Sequence, residues 1–244
     1  MTDRHIVATS SGGFLADERY GARPGPLLEL CRQLSGADEP RICALHTATG
    51  DDAARRAGWY SAVAGIGWRP SHLALFPMPN LDDVRSHLLA QDIIWVGGGS
   101  VAGLMVMWRL HGLDALLREA WEAGVVLTGG SAGSLCWHTG GTTDSFGPEL
   151  RPWTDGLGLV QGSTCPHYDS EARRRPLYQR LVREGALDPG YATDDGVGLH
   201  YVDGVLHEAV TDREGASAYR VDRDGETALE TRLLTRGTGR PVAP

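Results

Sequence analysis

The chain contains no lysine; all 23 of its basic residues are arginine. That removes Schiff-base chemistry, the lysine of a phosphate-gripping P-loop and the serine–lysine dyad. Cysteine is scarce: Cys31, Cys43, Cys136 and Cys165 are four in 244 residues, none paired at metal-ligand spacing. This excludes a disulfide framework and gives no sign of a zinc site, and the four read as small buried hydrophobes. No run approaches the ~18 consecutive apolar residues of a membrane span. The N-terminus enters a strand-like segment without the apolar core of a secretory signal. The expectation is a cytoplasmic protein with no membrane partner. The formal net charge of −8 argues against nucleic acid, whose phosphates require a basic face.

What is present is an alternation of strand and helix signals. His5–Ser10, Arg41–His46, Ser71–Phe76, Asp92–Val96 and Val125–Thr128 read as strands. Between them Leu27–Leu34, Ala53–Ala64, Leu81–Ala90, about ten residues after Ser100, and Leu113–Ala123 read as helices, the last with Leu113, Leu116, Leu117 and Ala120 on one face. Such alternation implies an α/β fold whose mostly parallel sheet is flanked by helices. The second half is less regular. Residues 140–162, rich in Gly, Thr, Asp and Pro, read as loops, and Glu171–Glu184 as a helix. Gly198–Val202 and Val205–Val210 flank Asp203-Gly204 as a C-terminal β-hairpin. Ala216–Val221 and Thr227–Leu229 read as further strands. Without repeat or linker, residues 1–244 read as one domain, with a loose polar tail over 235–244.

Gly129-Gly130-Ser131-Ala132-Gly133 follows a short apolar strand and precedes a predicted helix, Ala132–His138. This is the strand–turn–helix setting of a Gly-x-Ser-x-Gly nucleophile elbow. Small neighbours let the backbone adopt a strained turn that aims Ser131 Oγ outward. The Ala132 N–H is then free at the helix start to stabilise an oxyanion. Gly97-Gly98-Gly99 lies at a second strand–helix turn. It lacks the full dinucleotide-binding spacing and makes sense as the other half of an oxyanion hole, with Gly99 donating. A serine nucleophile needs a base, and the base an orienting acid. Of the nine histidines, most lie within strand or helix signals. His167, in Cys165-Pro166-His167-Tyr168, sits where a loop can present its ring.

Val96-Gly97-Gly98-Gly99-Ser100, Gly129-Gly130-Ser131-Ala132-Gly133 and Pro166-His167-Tyr168, in that order, resemble the dipeptidase E and cyanophycinase family of serine peptidases over roughly residues 4–210. The resemblance implies a fold like that of class I glutamine amidotransferases and a triad in the order Ser, His, acid. Ser131 and His167 carry over directly. Asp195 of Thr193-Asp194-Asp195-Gly196 takes the place of the family's Glu-Gly acid, one methylene shorter. Adjacent acids on an extended segment point to opposite sides, so one of Asp194 and Asp195 faces His167. Ser100 and Arg174 fall at positions that imply substrate binding, Arg174 through a carboxylate of an acidic N-terminal residue. The implied activity is an exopeptidase or dipeptidase for short peptides, with no cofactor and no metal, as monomer or homodimer. Two other readings stay open at this point. One is an α/β-hydrolase esterase drawing on Asp155 or Asp188 with His200 or His207; the other is a non-catalytic binding relative.

Overall fold

The computed structural model describes residues 3–235, so all but the first residue of the expected 235–244 tail lies outside the described residues. The first part of the chain runs β1 (His5–Thr9), β2 (Phe14–Asp17), β3 (Gly21–Pro24), α1 (Pro26–Ser35), β4 (Arg41–Leu45), α2 (Ala53–Val63), β5 (Arg69–Leu73), α3 (Val84–Leu89), β6 (Ile93–Val96), α4 (Val101–Leu110), α5 (Leu113–Glu122), β7 (Val126–Gly130) and α6 (Ala132–Leu135). It continues with β8 (Gly140–Thr143), β9 (Arg151–Trp153), β10 (Ser163–Cys165), α7 (Arg174–Arg183), β11 (Gly190–Thr193), β12 (Val197–Val202), β13 (Val205–Thr211), β14 (Ala218–Asp222), β15 (Gly225–Ala228) and β16 (Thr231–Leu233).

The central strands are apolar at nearly every position because both faces of their sheet are covered. Alternate residues go to opposite faces. Val7, Ile42, Ala44, Ile93, Trp95 and Val126 pack against Leu28 and Cys31 of α1 and Trp59 and Val63 of α2. Their neighbours Ile6, Ala8, Cys43, Leu45, Ile94, Val96 and Leu127 pack against Leu88 of α3, Trp108 of α4, Leu117 of α5 and Leu135 of α6. The sheet has eight strands in the order β16-β13-β12-β1-β7-β6-β4-β5. β1, β7, β6, β4 and β5 are mutually parallel, and β12 joins β1 antiparallel. A second sheet, β15-β14-β11-β10-β8-β9, has β8, β10 and β11 parallel at its centre. Its Trp153 and Ala218 join the larger core cluster.

Local signals set the helix ends. α1 begins with Pro26 and stops at Gly36 in a left-handed cap. The side chains of Asp52, Asp83 and Ser100 cap α2, α3 and α4 by accepting from the N–H groups of Arg55, Ser86 and Gly103.

Four expectations are corrected. β5 starts at Arg69 rather than Ser71. α3 starts only at Val84, where Asp83 caps it. α6 stops at Leu135, because the Cys136, Trp137 and His138 carbonyls accept from Leu157, Val160 and Gly158 as the chain returns. Residues 140–162 are not all loop. They contain β8 and β9, whose strands approach so closely that a Cβ on Gly140 would lie 2.2 Å from the Trp153 carbonyl oxygen.

A Cβ on Gly133 would lie 2.1 Å from the Val96 carbonyl oxygen. Gly133→Ala must therefore push α6 off β6, and a loss of at least about 1–3 kcal/mol is expected in urea unfolding. Gly58, inside α2 with nothing within 4 Å of its Cβ position, is the control. Gly58→Ala gains about 0.5–1 kcal/mol from helix propensity.

Three buried histidines tie the stability of the fold to pH. Burial is the main cause that pushes His46, His138 and His200 down to about 4 from an ordinary 6.5. The folded chain thus binds fewer protons than the unfolded chain. Their contribution is fully present above about pH 6.5 and is lost as pH falls toward about 4. The urea midpoint should fall steeply across that window, and a flat profile would contradict it.

Candidate active site

The carboxyl ends of the parallel strands meet at one crevice, where open α/β sheets place their ligands. β7 ends at Gly130, and Ser131 follows with φ 55 and ψ −115, a region costly for any residue with a Cβ. Surrounding contacts impose it. The Ser131 N–H donates to the carbonyls of Ser10 (3.0 Å) and Thr9 (3.2 Å), and its own carbonyl accepts from Ser134 and Leu135 at 2.9 Å. Gly130 must be glycine, since a Cβ there would lie 2.3 Å from the Gly12 nitrogen.

Gly98 approaches from the end of β6. Its Cβ position is 3.2 Å from Ser131 Cβ and 3.8 Å from Ser131 Oγ. Gly97 and Ser100 donate to Leu45 and Ala48 carbonyls, whereas Gly98 and Gly99 donate to no backbone carbonyl among the described residues. The Ala132 N–H heads α6 and likewise has no intrahelical acceptor.

His167 and Asp195 come from the second sheet. His167 follows β10 and Asp195 follows β11, adjacent parallel strands. His167 Nδ1 lies 2.7 Å from Asp195 Oδ1. Burial alone would raise the Asp195 carboxyl, but hydrogen bonds from Ser170, His167 and Ser10 outweigh it and hold the group below its ordinary range. Asp194 points the other way. Its Oδ2 accepts from Ser217 N–H at 3.0 Å and Tyr219 O–H at 3.4 Å, and burial is the leading cause that raises its carboxyl. Among the described residues no hydrogen bond joins Ser131 Oγ to His167, and such bonds are often long without substrate. Both residues line one pocket.

Ser10 went unnoticed in the sequence. It is fully buried at the end of β1. Its Oγ accepts from the His167 N–H at 2.8 Å and donates to Asp195 Oδ1 at 3.0 Å. It thereby fixes His167, whose backbone is left-handed at φ 58, and the carboxylate its ring contacts. Asp169, ion-paired with Arg213, accepts from the Asp195 N–H at 2.9 Å. A serine at a strand end carries no sequence signal for this.

The pocket holds about 520 Å³. Its walls are aromatic: Trp59 stacks on Trp95 with ring centres 5.3 Å apart, and Phe14 meets both edge-on. The β2–β3 hairpin, missed in the sequence, lines it with Tyr20, Gly21 and Ala22. Arg23 holds that hairpin to α2 through the Ala62 and Ala64 carbonyls at 3.1 and 2.6 Å. His46 and Arg55 also line it, and among the described residues Arg55 is its only formally charged side chain.

Two expected substrate-binding residues are not brought here. Ser100 is turned to Gly103 as the α4 cap, at 3.1 Å. Arg174 is 3% exposed and points inward, to Glu171 at 2.8 Å and the Thr142 carbonyl at 3.0 Å. The esterase alternative finds no support, since Asp155 pairs with Arg109, Asp188 accepts from Thr139, and neither His200 nor His207 lines the pocket.

A strained serine after a parallel strand shares a small pocket with a histidine that is paired to an aspartate, an arrangement compatible with a serine hydrolase on an α/β fold. The family model for peptidase family S51 matches residues 6–209, and the chain belongs to that family of serine-type peptidases. It is 43% identical over 218 residues to the uncharacterized peptidase YgaJ of Bacillus subtilis (strain 168), covering 89% of this chain and 92% of that one. It is 28% identical over 149 residues to Peptidase E of Shewanella denitrificans, covering 57% and 63% of the two chains. The crystal structure of a peptidase from an acI-B1 Actinobacterium superposes with a TM-score of 0.65 at 16% identity, covering 93% and 94%.

The opposed acids give a direct comparison. Asp195→Asn should lower kcat by orders of magnitude, since a triad acid holds the base's tautomer, while Asp194→Asn should leave kcat within a few-fold. Ser10→Ala should lower kcat with little change in KM, because it touches the base and its acid. The reverse ranking of the two aspartates would move the acid to Asp194.

Proposed function

We propose that the chain hydrolyses short peptides as an exopeptidase, through an acyl-enzyme on Ser131. His167 takes the Ser131 proton and returns it to the leaving amine, and Asp195 holds the ring and stabilises the imidazolium. The Ala132 and Gly99 N–H groups receive the oxyanion, each such donor contributing about 2.7–4 kcal/mol to the transition state. Water then releases the acyl group by the same base. The observation that carries this reading is the 2.7 Å His167–Asp195 contact beside a serine held at positive φ. Membership of family S51 adds the peptidase chemistry. The pocket volume of about 520 Å³ suits a di- or tripeptide rather than a folded chain.

The acid preference inferred from the resemblance rests on a different arginine from the one expected. Arg174 is engaged inside the protein, whereas Arg55 lines the pocket and makes no ion pair among the described residues. Beside four aromatic rings, a carboxylate–guanidinium pair is less screened than in open water. An acidic N-terminal residue paired with Arg55 is the preferred reading. The rings favour a second, an apolar side chain at the same position.

One set of variants tests both levels. Ser131→Ala should lose roughly 10⁴–10⁶-fold in kcat while remaining folded, and should no longer be labelled by a fluorophosphonate. In the wild type Asp-Leu should be cleaved faster than Leu-Leu or Phe-Leu, and Arg55→Ala should erase that difference through KM. Faster cleavage of Phe-Leu, unaffected by Arg55→Ala, would select the apolar reading.

A further inference from the structure

A second group of chemistry-bearing side chains lies on the β12–β13 hairpin, away from the pocket. β12 and β13 are antiparallel, and their register sets His200 opposite Glu208. The next residue back along β13 is His207, whose ring centre is 5.3 Å from that of His200. One ligand atom from each of the three lies within 4.8 Å of the others. None of the three lines the pocket that holds Ser131.

His200 is 4% exposed, and its Nδ1 is buried without a hydrogen-bond partner. Its Nε2 is 3.1 Å from Nδ1 of His5 on β1. An Nε2–H donated to His5 leaves a bare lone pair on Nδ1, aimed at Glu208 Oε1 3.7 Å away. That separation is too long for a hydrogen bond. It is also short for a bridging water, whose two bonds would hold the atoms about 4.5 Å apart. Two ligands on a tetrahedral zinc at about 2.0–2.1 Å each stand about 3.3–3.4 Å apart, so a closing of a few tenths of an ångström would seat the ion. An unfilled buried acceptor costs about 1–3 kcal/mol, and a cation would remove that cost.

We propose that His200 Nδ1, Glu208 and His207 form a binding site for a zinc-class divalent cation, with His5 fixing the His200 tautomer from behind. Two imidazoles and a carboxylate suit zinc, with water completing the coordination. His5 acts as the outer partner that orients a metal-bound imidazole. His207 is exposed, so a side-chain rotation can bring its nitrogen inward from the present spread. Arg232 of β16 binds both Glu208 oxygens at 2.8 Å. Each carboxylate oxygen has a second lone pair, and Arg232 is more than half exposed, so it can stay on Oε2 or swing outward. The site clamps the hairpin that leaves Asp195, so its effect falls on stability rather than on the chemical step.

The test uses the untagged full chain and Zn²⁺ alone, read by calorimetric titration and by thermal unfolding. One ion per chain is expected, with a rise in Tm of several degrees at saturating zinc. His207→Ala and Glu208→Gln should each weaken binding at least tenfold and remove the rise. His207→Cys, which restores a zinc ligand, should recover both. The proposal is overturned if the wild type shows no zinc response, or if His207→Ala and Glu208→Gln respond as the wild type does.

Discussion

The site depends on one steric constraint: three backbone segments pass closer together at Ser131 than any side chain allows. The ends of β1 and β6 press on β7 and α6 from either side. The Cβ positions of Gly129, Gly130 and Gly133 all fall within 2.6 Å of a neighbouring backbone atom, well inside van der Waals contact. Glycines remove those collisions and leave Ser131 the only side chain at the apex. Its positive φ is maintained because its N–H is held by the Thr9 and Ser10 carbonyls while its carbonyl starts α6. The strain is offset by the packing of the whole sheet. The same closeness brings Gly98 against Ser131, so the proposed nucleophile and the turn that carries the proposed second oxyanion donor are positioned by one contact.

Two sheets contribute to this crevice, and their alignment is a separate problem. Ser131 rises from the large sheet, while His167 and Asp195 leave adjacent strands of the smaller one. Packing alone tolerates small shifts between layers, and catalysis does not. Ser10 closes that gap with polar bonds. It directly follows β1 of the large sheet, yet its hydroxyl binds both the His167 backbone and the Asp195 carboxylate. Its carbonyl meanwhile holds the Ser131 N–H. A single residue thus touches all three members of the proposed triad. Ser11 adds a second tie, accepting from the Gly196 N–H at 3.1 Å.

How far the sequence could be read follows from which physics leaves a local pattern. Strands buried on both faces are nearly all apolar and are separated by amphipathic helices, so the parallel half was legible. The elbow was legible because backbone crowding writes itself as glycine. Asp194 and Asp195 could be opposed from the alternation of an extended chain. Of the smaller sheet, β14 and β15 were legible, while β8 and β10 escaped because they are three or four residues of mostly Gly, Ser and Thr, Gly140–Thr143 and Ser163–Cys165, with little apolar signal. The β2–β3 hairpin escaped because Phe-Leu-Ala-Asp and Gly-Ala-Arg-Pro show no period of two. Clusters made by strand register, such as His200 with Glu208, have no fixed spacing in sequence.

The arginines show the same limit in its sharpest form. With no lysine in the chain, every fixed positive charge is a guanidinium, and residue type cannot separate a structural cation from a binding one. Arg173, Arg174 and Arg175 are adjacent, yet a helix sends them in different directions. Arg173 reaches the Pro148 carbonyl, Arg174 turns into the core against Thr142, and Arg175 pairs with Glu226. Each is already engaged by an acceptor within the protein, and a guanidinium so held gains less by turning to a substrate. Arg55 stands one turn into α2, where the Asp52 cap fixes the helix start and the Trp59–Trp95 stack fixes the wall beside it. It lines the pocket and makes no ion pair among the described residues. On the proposed reading, selectivity for a charged substrate depends less on where arginines occur than on which pocket-lining one the fold leaves without an ion pair among the described residues.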